Sequence, residues 1–301
     1  MLNKTIQLWE NIDHVTLHTY IHDHSLEFQA NQKRPAIIIC PGGGYLGTSD
    51  REAEPVALRF AALGYHTFVL RYTTYYKEWV KDTNNPPAPN EEAGYPQPLY
   101  DLAKAILTVR EHAPKWLVDT DKIAVCGFSA GGHLAASMGV HWDGQLLNDR
   151  FTVNQELLRP NAVILGYPLA DYQLMKEKVF SEGDDFAKHF WNIAIKAFFK
   201  TSEPTNEQLY EASPVHFVSS QTPPTFIWHT ADDALVYAEN ALNFATALAK
   251  NKVPYELHVF ESGVHGLSLC DETTAENENH LNPECSVWVD LANHWLKNHF
   301  D

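Results

Sequence analysis

Gly127-Phe-Ser-Ala-Gly131 constrains this chain more than any other stretch. The β-branched run Ile123-Ala-Val-Cys126 leads into it, and a helical pattern from Ala130 to Val140 leads away. A serine with glycines two residues to either side, placed on a turn from strand to helix, is a backbone that few folds build. Side chains at those glycine positions would collide with neighbouring backbone, and the serine itself adopts a strained conformation. The turn lifts the hydroxyl above the sheet, at the positive end of the following helix. Composition alone would give G-x-S-x-G roughly 0.03 times in a chain of this length, so the match is informative before context is added.

The surrounding pattern agrees. Pro35 to Cys40 is a continuous β-branched run, as expected of a strand buried on both faces of a parallel sheet. Arg51 to Leu63 reads as a helix stopped by Gly64, and His66 to Tyr72 as the next strand. Residues 73–98 form a loop rich in proline and asparagine, long enough to suggest a functional role. Leu99, Leu102, Ile106 and Val109 then recur at helical steps. Strands follow at Ala162–Leu165, Thr225–Trp228 and Tyr255–Phe260, with helices at about 237–250 and 284–298. The alternation predicts a doubly wound, mostly parallel α/β sheet. With 301 residues, 45% of them hydrophobic, residues 1–301 are read as one such domain. Residues 171–222 break the alternation and are too long for an ordinary connection. They are expected to form a small helical lid whose helix Asp184–Phe199 carries Phe186, Phe190, Trp191 and Phe198. Those aromatics either pin the insert to the body or contact substrate.

A serine hydroxyl is a poor nucleophile near neutral pH and needs a base and an orienting carboxylate. In folds with this turn they follow in the order Ser, Asp or Glu, His. The strand Thr225–Trp228 runs into His229-Thr-Ala-Asp232-Asp233, and Tyr255–Phe260 runs into Gly263-Val-His265-Gly266. Functional groups in open α/β sheets gather at the carboxyl ends of strands, so Ser129 and His265 are expected to meet there. Adjacency alone leaves Asp232 and Asp233 equal as the carboxylate. Upstream, Cys40-Pro-Gly-Gly-Gly-Tyr45 follows a buried strand, where glycine lets backbone N–H groups approach a developing oxyanion. The N–H of Ala130, after the serine, is the expected second donor. His14, His18, His22 and His24 invite a metal reading; on a strand His18, His22 and His24 would share a face. No patterned carboxylate or cysteine accompanies them, so a surface strand is favoured and no metal is expected. His133 reads as structural, and His229 as a support for the aspartate loop.

Composition narrows the partners. The net charge of −16, from 22 basic and 38 acidic residues, disfavours nucleic acid and anionic lipid. Met1 to Glu10 has no apolar core of a signal peptide and no stretch approaches a membrane span, so a cytoplasmic protein is expected. Cys40, Cys126, Cys270 and Cys285 lack metal-site spacing or a disulfide framework, and the first two end apolar runs as small buried hydrophobes. Self-association into a homo-oligomer is compatible with the sequence.

Taken together, these pieces resemble the α/β-hydrolase esterases related to hormone-sensitive lipase, above all the bacterial acetyl-esterase and xylan-esterase-like branch. The segments that carry the likeness are Cys40–Tyr45, Ser49-Asp-Arg-Glu-Ala-Glu-Pro55, Gly127–Leu134, Thr222–Thr230, Asp233-Ala-Leu-Val236 and Gly263–Leu267. The resemblance implies Ser129, Asp233 and His265 as a catalytic triad, the D-x-x-V register favouring Asp233 over Asp232. It implies oxyanion donors at Gly43, Gly44 and Ala130, Tyr45 as a substrate contact, no cofactor, and a small-molecule ester as substrate. Pro41 stands where a histidine commonly precedes the glycines, and Tyr237 where the family has proline after D-x-x-V. An amidase such as an arylformamidase, or a homologue that only binds ligand, are the competing readings.

Overall fold

A computed structural model describes residues 1–300 except 26, 28–31, 78–79 and 81–85, so part of the expected 73–98 loop lies outside the described residues. Eight strands form one sheet: β1 (Leu2–Trp9), β2 (Ile12–Ile21), β3 (Arg34–Cys40), β4 (His66–Arg71), β5 (Val118–Phe128), β6 (Ala162–Gly166), β7 (Thr225–Thr230) and β8 (Tyr255–Phe260). Their spatial order is β1-β2-β4-β3-β5-β6-β7-β8. From β4 onward every pair is parallel, while β1 and β2 form a hairpin whose second strand pairs antiparallel with β4. The doubly wound α/β-hydrolase sheet is therefore present, with an antiparallel hairpin extending one edge.

Strand alternation divides the core in two. Along β3, Ala36, Ile38 and Cys40 face one apolar cluster while Ile37 and Ile39 face the other. The first cluster is filled by helices α2 (Gln97–Trp116), α3 (Ala130–His141) and α8 (Glu239–Lys250), through residues such as Ile106, Leu134 and Phe244. The second is filled by α1 (Glu54–Ala62) and α9 (Trp288–Phe300), through Phe60, Trp288 and Trp295. Burying both faces explains why the central strands read as unbroken apolar runs.

Several boundaries differ from expectation. Helix α1 starts at Glu54, with Pro55 in its first turn, so Arg51 and Glu52 lie in the turn before it. Proline suits a first turn, where its missing N–H costs no bond. β2 stops at Ile21, so His22 and His24 do not share a strand face with His18. The four histidines also go to separate partners where bonds form: His14 Nε2 to Asn90, His18 Nε2 to Thr16, His22 Nε2 to the Ala61 carbonyl. Among the described residues no helix is long and apolar enough to cross a membrane.

The stretch between β6 and β7 contains α4's successors in the chain: with α4 at Gln145–Arg150, they are α5 (Tyr172–Glu182), α6 (Asp185–Phe199) and α7 (Asn206–Glu211). Asp171 caps α5 by accepting from the backbone of Gln173 and Leu174, Asp184 caps α6 through Ala187, and Thr205 with Gln208 forms a capping box on α7. Each cap fixes a helix start that hydrophobic spacing alone leaves open.

Candidate active site

The turn from β5 to α3 has the shape its glycines imply. Ser129 sits at φ 53°, ψ −118°, a region rarely occupied by side-chain-bearing residues. A Cβ on Gly127 would lie 2.0 Å from the Gly131 carbonyl oxygen, and one on Gly131 would lie 2.0 Å from that of Cys40. Both contacts are with backbone, which cannot move aside.

Three loops at the carboxyl ends of β5, β7 and β8 converge. His265 Nδ1 lies 2.6 Å from Asp233 Oδ2, and His265 Nε2 lies 2.8 Å from Ser129 Oγ. A carboxylate only accepts, so Nδ1 carries the proton and Nε2 offers its lone pair to the serine hydroxyl. The other Asp233 oxygen accepts from the backbone N–H groups of Leu235 and Val236. Asp232 points elsewhere: its Oδ1 accepts from the Gly263 N–H at 2.6 Å, tying the aspartate loop to the histidine loop. The two neighbouring carboxylates thus divide the work, one holding the imidazole and one holding the loop that carries it.

Electrostatics follow from burial and pairing. Burial pushes the His265 imidazole down, but the Asp233 carboxylate, its hydrogen bond and the nearby Glu52 charge outweigh it, and the net pKa lies above the ordinary 6.5. Asp233 is held below the usual carboxylate value: desolvation opposes this, and the His265 contact, His229 and the Val236 N–H overcome it. His133 is buried and pushed down to about 4, so it is neutral. Its Nε2–H donates to the Ala212 carbonyl and its Nδ1 accepts from the Tyr45 hydroxyl at 2.6 Å. That bond ties α3, the glycine loop and the 171–222 segment together. It also commits the Tyr45 hydroxyl inward, leaving the ring of Tyr45 as part of the cavity wall. His229 is buried beside Asp233, with Nδ1 accepting from the Thr230 N–H.

Gly43 (φ 128°) and Gly44 (φ 62°) both adopt backbone that favours glycine. Among the described residues no acceptor takes the N–H of Gly43, Gly44 or Ala130, whereas the Gly42 N–H is bound by Glu52 Oε2 at 2.6 Å. Gly44, Ala130 and Ser129 line one small apolar cavity of about 40 Å³, and Gly43 is not among its lining residues. Helix α5 contributes Met175 and Val179 to this cavity, and α6 contributes Phe190, Trp191 and Ile195. Phe190 packs so closely over Gly44 that a Cβ there would meet its ring at 2.6 Å. The aromatics of α6 divide accordingly: Phe198 is buried against the body, Trp191 is buried and lines the cavity together with Phe190, and Phe186 is 66% exposed and stacked on Phe190.

Two features were not legible beforehand. None of the described residues of the 73–98 stretch lines the cavity. Instead Tyr75 and Tyr76 donate their backbone N–H groups to the carbonyls of Tyr45 and Leu46, so the loop braces the glycine loop from behind. Glu52 is a carboxylate only 4% exposed, bonded to Gly42 and to the Tyr167 hydroxyl. It lies within Ser49–Pro55, but nothing in that pattern says which of its acidic residues turns inward.

The chain matches the family described as BD-FAE over residues 23–248. It is 32% identical over 257 residues to endo-1,4-beta-xylanase B of Butyrivibrio fibrisolvens, covering 85% of this chain and 35% of that protein. The chain spans between 35% and 54% of the length of the curated relatives it matches. Among solved structures, the acetyl ester-xyloside bifunctional hydrolase of Caldicellulosiruptor lactoaceticus is 33% identical with a TM-score of 0.75, covering 98% of this chain and 96% of that one. A carboxylesterase of Lactobacillus plantarum is 28% identical with a TM-score of 0.78, covering 99% and 96%.

Proposed function

The chain belongs to the BD-FAE family of α/β-hydrolases, and from that premise we infer that it is a serine carboxylesterase cleaving short acyl esters, acetyl groups on carbohydrates among them. The observation that carries this reading is the hydrogen-bonded series Ser129–His265–Asp233 opening into a small apolar cavity. In the first half-reaction Ser129 Oγ bonds to the ester carbonyl carbon as its proton passes to His265 Nε2. The oxyanion is met by the N–H groups of Gly43, Gly44 and Ala130. His265 returns the proton to the departing alcohol oxygen, the ester bond breaks, and an acyl-Ser129 remains. Water then adds to the acyl carbon, giving its proton to His265. Collapse restores the serine hydroxyl and releases the carboxylic acid. Asp233 stays ionised and supports the imidazolium formed in each half.

The cavity beside Ser129 is small and apolar, about 40 Å³. Its size suits an acetyl group better than a long acyl chain. On a panel of aryl esters, kcat/KM should be highest for acetyl and fall steeply beyond butyryl, with acetylated sugars cleaved and N-formyl amides poor. Preference for the amides would instead support the amidase reading. Phe190→Ala should flatten the profile by opening the roof, each added methylene that enters the new space recovering about fourfold in kcat/KM, or ~0.8 kcal/mol. An unchanged chain-length profile in this variant would remove Phe190 from the specificity argument.

Acid should silence the reaction. His265 acts only when neutral, and its pKa is raised above 6.5, so kcat/KM should fall with acidification from a midpoint above that value. The stability contribution of the same group has the opposite sign: it is fully present below 6.5 and is lost as pH rises through the raised value. Hydrolysis rates from pH 5 to 9 test this, and a flat profile between 5 and 8 would remove His265 from the base role.

A further inference from the structure

Glu52 stands in the turn before α1, between two of the loops that meet at Ser129. Its Oε2 accepts the Gly42 N–H at 2.6 Å, and its Oε1 accepts the Tyr167 hydroxyl at 2.6 Å. The Tyr167 oxygen in turn accepts the Ser268 N–H at 3.0 Å, three residues beyond His265. Tyr167 also lays its ring against the imidazole of His265, centroids 5.1 Å apart. The preceding residue reinforces the link: Ser268 Oγ donates to the Arg51 carbonyl, and the Arg51 guanidinium donates to the carbonyls of Gly266 and Thr274. On the other side, a Cβ on Gly42 would fall 2.8 Å from Glu52 Oε2 and 2.9 Å from Ser129 Cβ. Gly42 must therefore lack a side chain, because the carboxylate and the serine both crowd the space a Cβ would take.

The glycine loop follows β3 and the histidine loop follows β8, four places apart in the sheet, so no ladder of hydrogen bonds sets their separation. Catalysis of the proposed kind needs that separation held to a fraction of an ångström. We propose that Glu52 is a positioning residue that joins the glycine loop, through Gly42, to the His265 loop, through Tyr167 and Ser268, and that its negative charge favours the imidazolium formed during turnover. The proposal rests on the serine-esterase reading for its kinetic consequences. The groups facing His265 are Asp233 from the loop after β7, His229 from β7, Tyr167 after β6, Ser129 at the turn, and Glu52, with Arg51 on the Gly266 carbonyl. Of these, Asp233 and Glu52 are the anions raising the His265 pKa.

Glu52→Gln keeps the shape of the side chain and removes its charge, since the amide oxygen still accepts from Gly42 and the amide nitrogen donates to Tyr167. Expected are a fall in kcat of about tenfold with KM within twofold, and an acid limb of kcat/KM displaced to lower pH. Tyr167→Phe cuts the link and leaves the charge, so kcat should fall while the acid limb stays in place. The His265 titration followed by NMR on isotope-labelled histidine should move down in Glu52→Gln, and this readout does not depend on turnover. Wild-type kcat together with an unmoved His265 titration in Glu52→Gln would overturn the proposal. If that variant does not fold, wild-type kcat in Tyr167→Phe overturns it. Failure of the esterase reading looks different: the unmodified protein would then neither hydrolyse short aryl esters nor be labelled at Ser129 by a fluorophosphonate.

Discussion

Ser129→Ala is expected to lower kcat on a short-chain aryl ester by about a millionfold while leaving the fold intact. The size follows from the mechanism: without the hydroxyl no acyl-enzyme forms, and only the N–H donors and binding contacts remain to help a direct attack by water. The fold survives because the substitution removes one oxygen that lines a cavity, and its one bond among the described residues, to His265 Nε2, is one that water can replace. Alanine is no more strained than serine at φ 53°. Stability should therefore change by no more than about 1 kcal/mol, read as a thermal midpoint within a few degrees of the parent. Turnover retained in a preparation shown free of host esterases would falsify the assignment of Ser129.

Gly131→Ala should do the reverse, destroying the scaffold that presents the serine. The new methyl would sit 2.0 Å from the Cys40 carbonyl oxygen and 2.5 Å from that of Pro41, far inside van der Waals contact. Relief requires α3 to part from the end of β3, and with it Ser129 from the glycine loop. A loss of more than about 4 kcal/mol is expected, corresponding to a fall of roughly 6 °C or more in the midpoint, together with loss of activity. Gly139→Ala provides the control in the same helix. There the methyl would meet only Val163 Cγ2 at 3.3 Å and Pro223 Cδ at 3.9 Å, side-chain atoms able to shift by tenths of an ångström. That variant should stay within about 1 kcal/mol of the parent. Equal midpoints for the two variants would show that backbone contact at the turn is not what makes Gly131 necessary.

At the acidic pair 232–233 adjacency leaves the choice open, and only the D-x-x-V register favours Asp233. Both residues follow β7 directly, and their roles differ because one carboxylate turns toward the imidazole while the other reaches the Gly263 N–H. Side-chain direction at such a turn depends on where the next loop lies, and that loop belongs to residues some thirty positions away. Phe190 is similar. Its helix was visible as an amphipathic stretch, but which aromatic would overhang Gly44 depended on how α6 rests on the body.

What the residues themselves determined is the alternation of strands and helices from β3 onward, the strand-to-helix turn at Ser129 and the glycine backbone at 43–44, because each is dictated by period, β-branching or a φ open mainly to glycine. Tertiary structure alone decided that Asp232 ties the His265 loop through Gly263, that Tyr75 and Tyr76 brace the glycine loop, and that Glu52 is buried between two loops. The reason is physical. Hydrogen bonds between loops far apart in the chain depend on relative position, and relative position is set by the packing of the whole sheet and its helices, which no local pattern encodes.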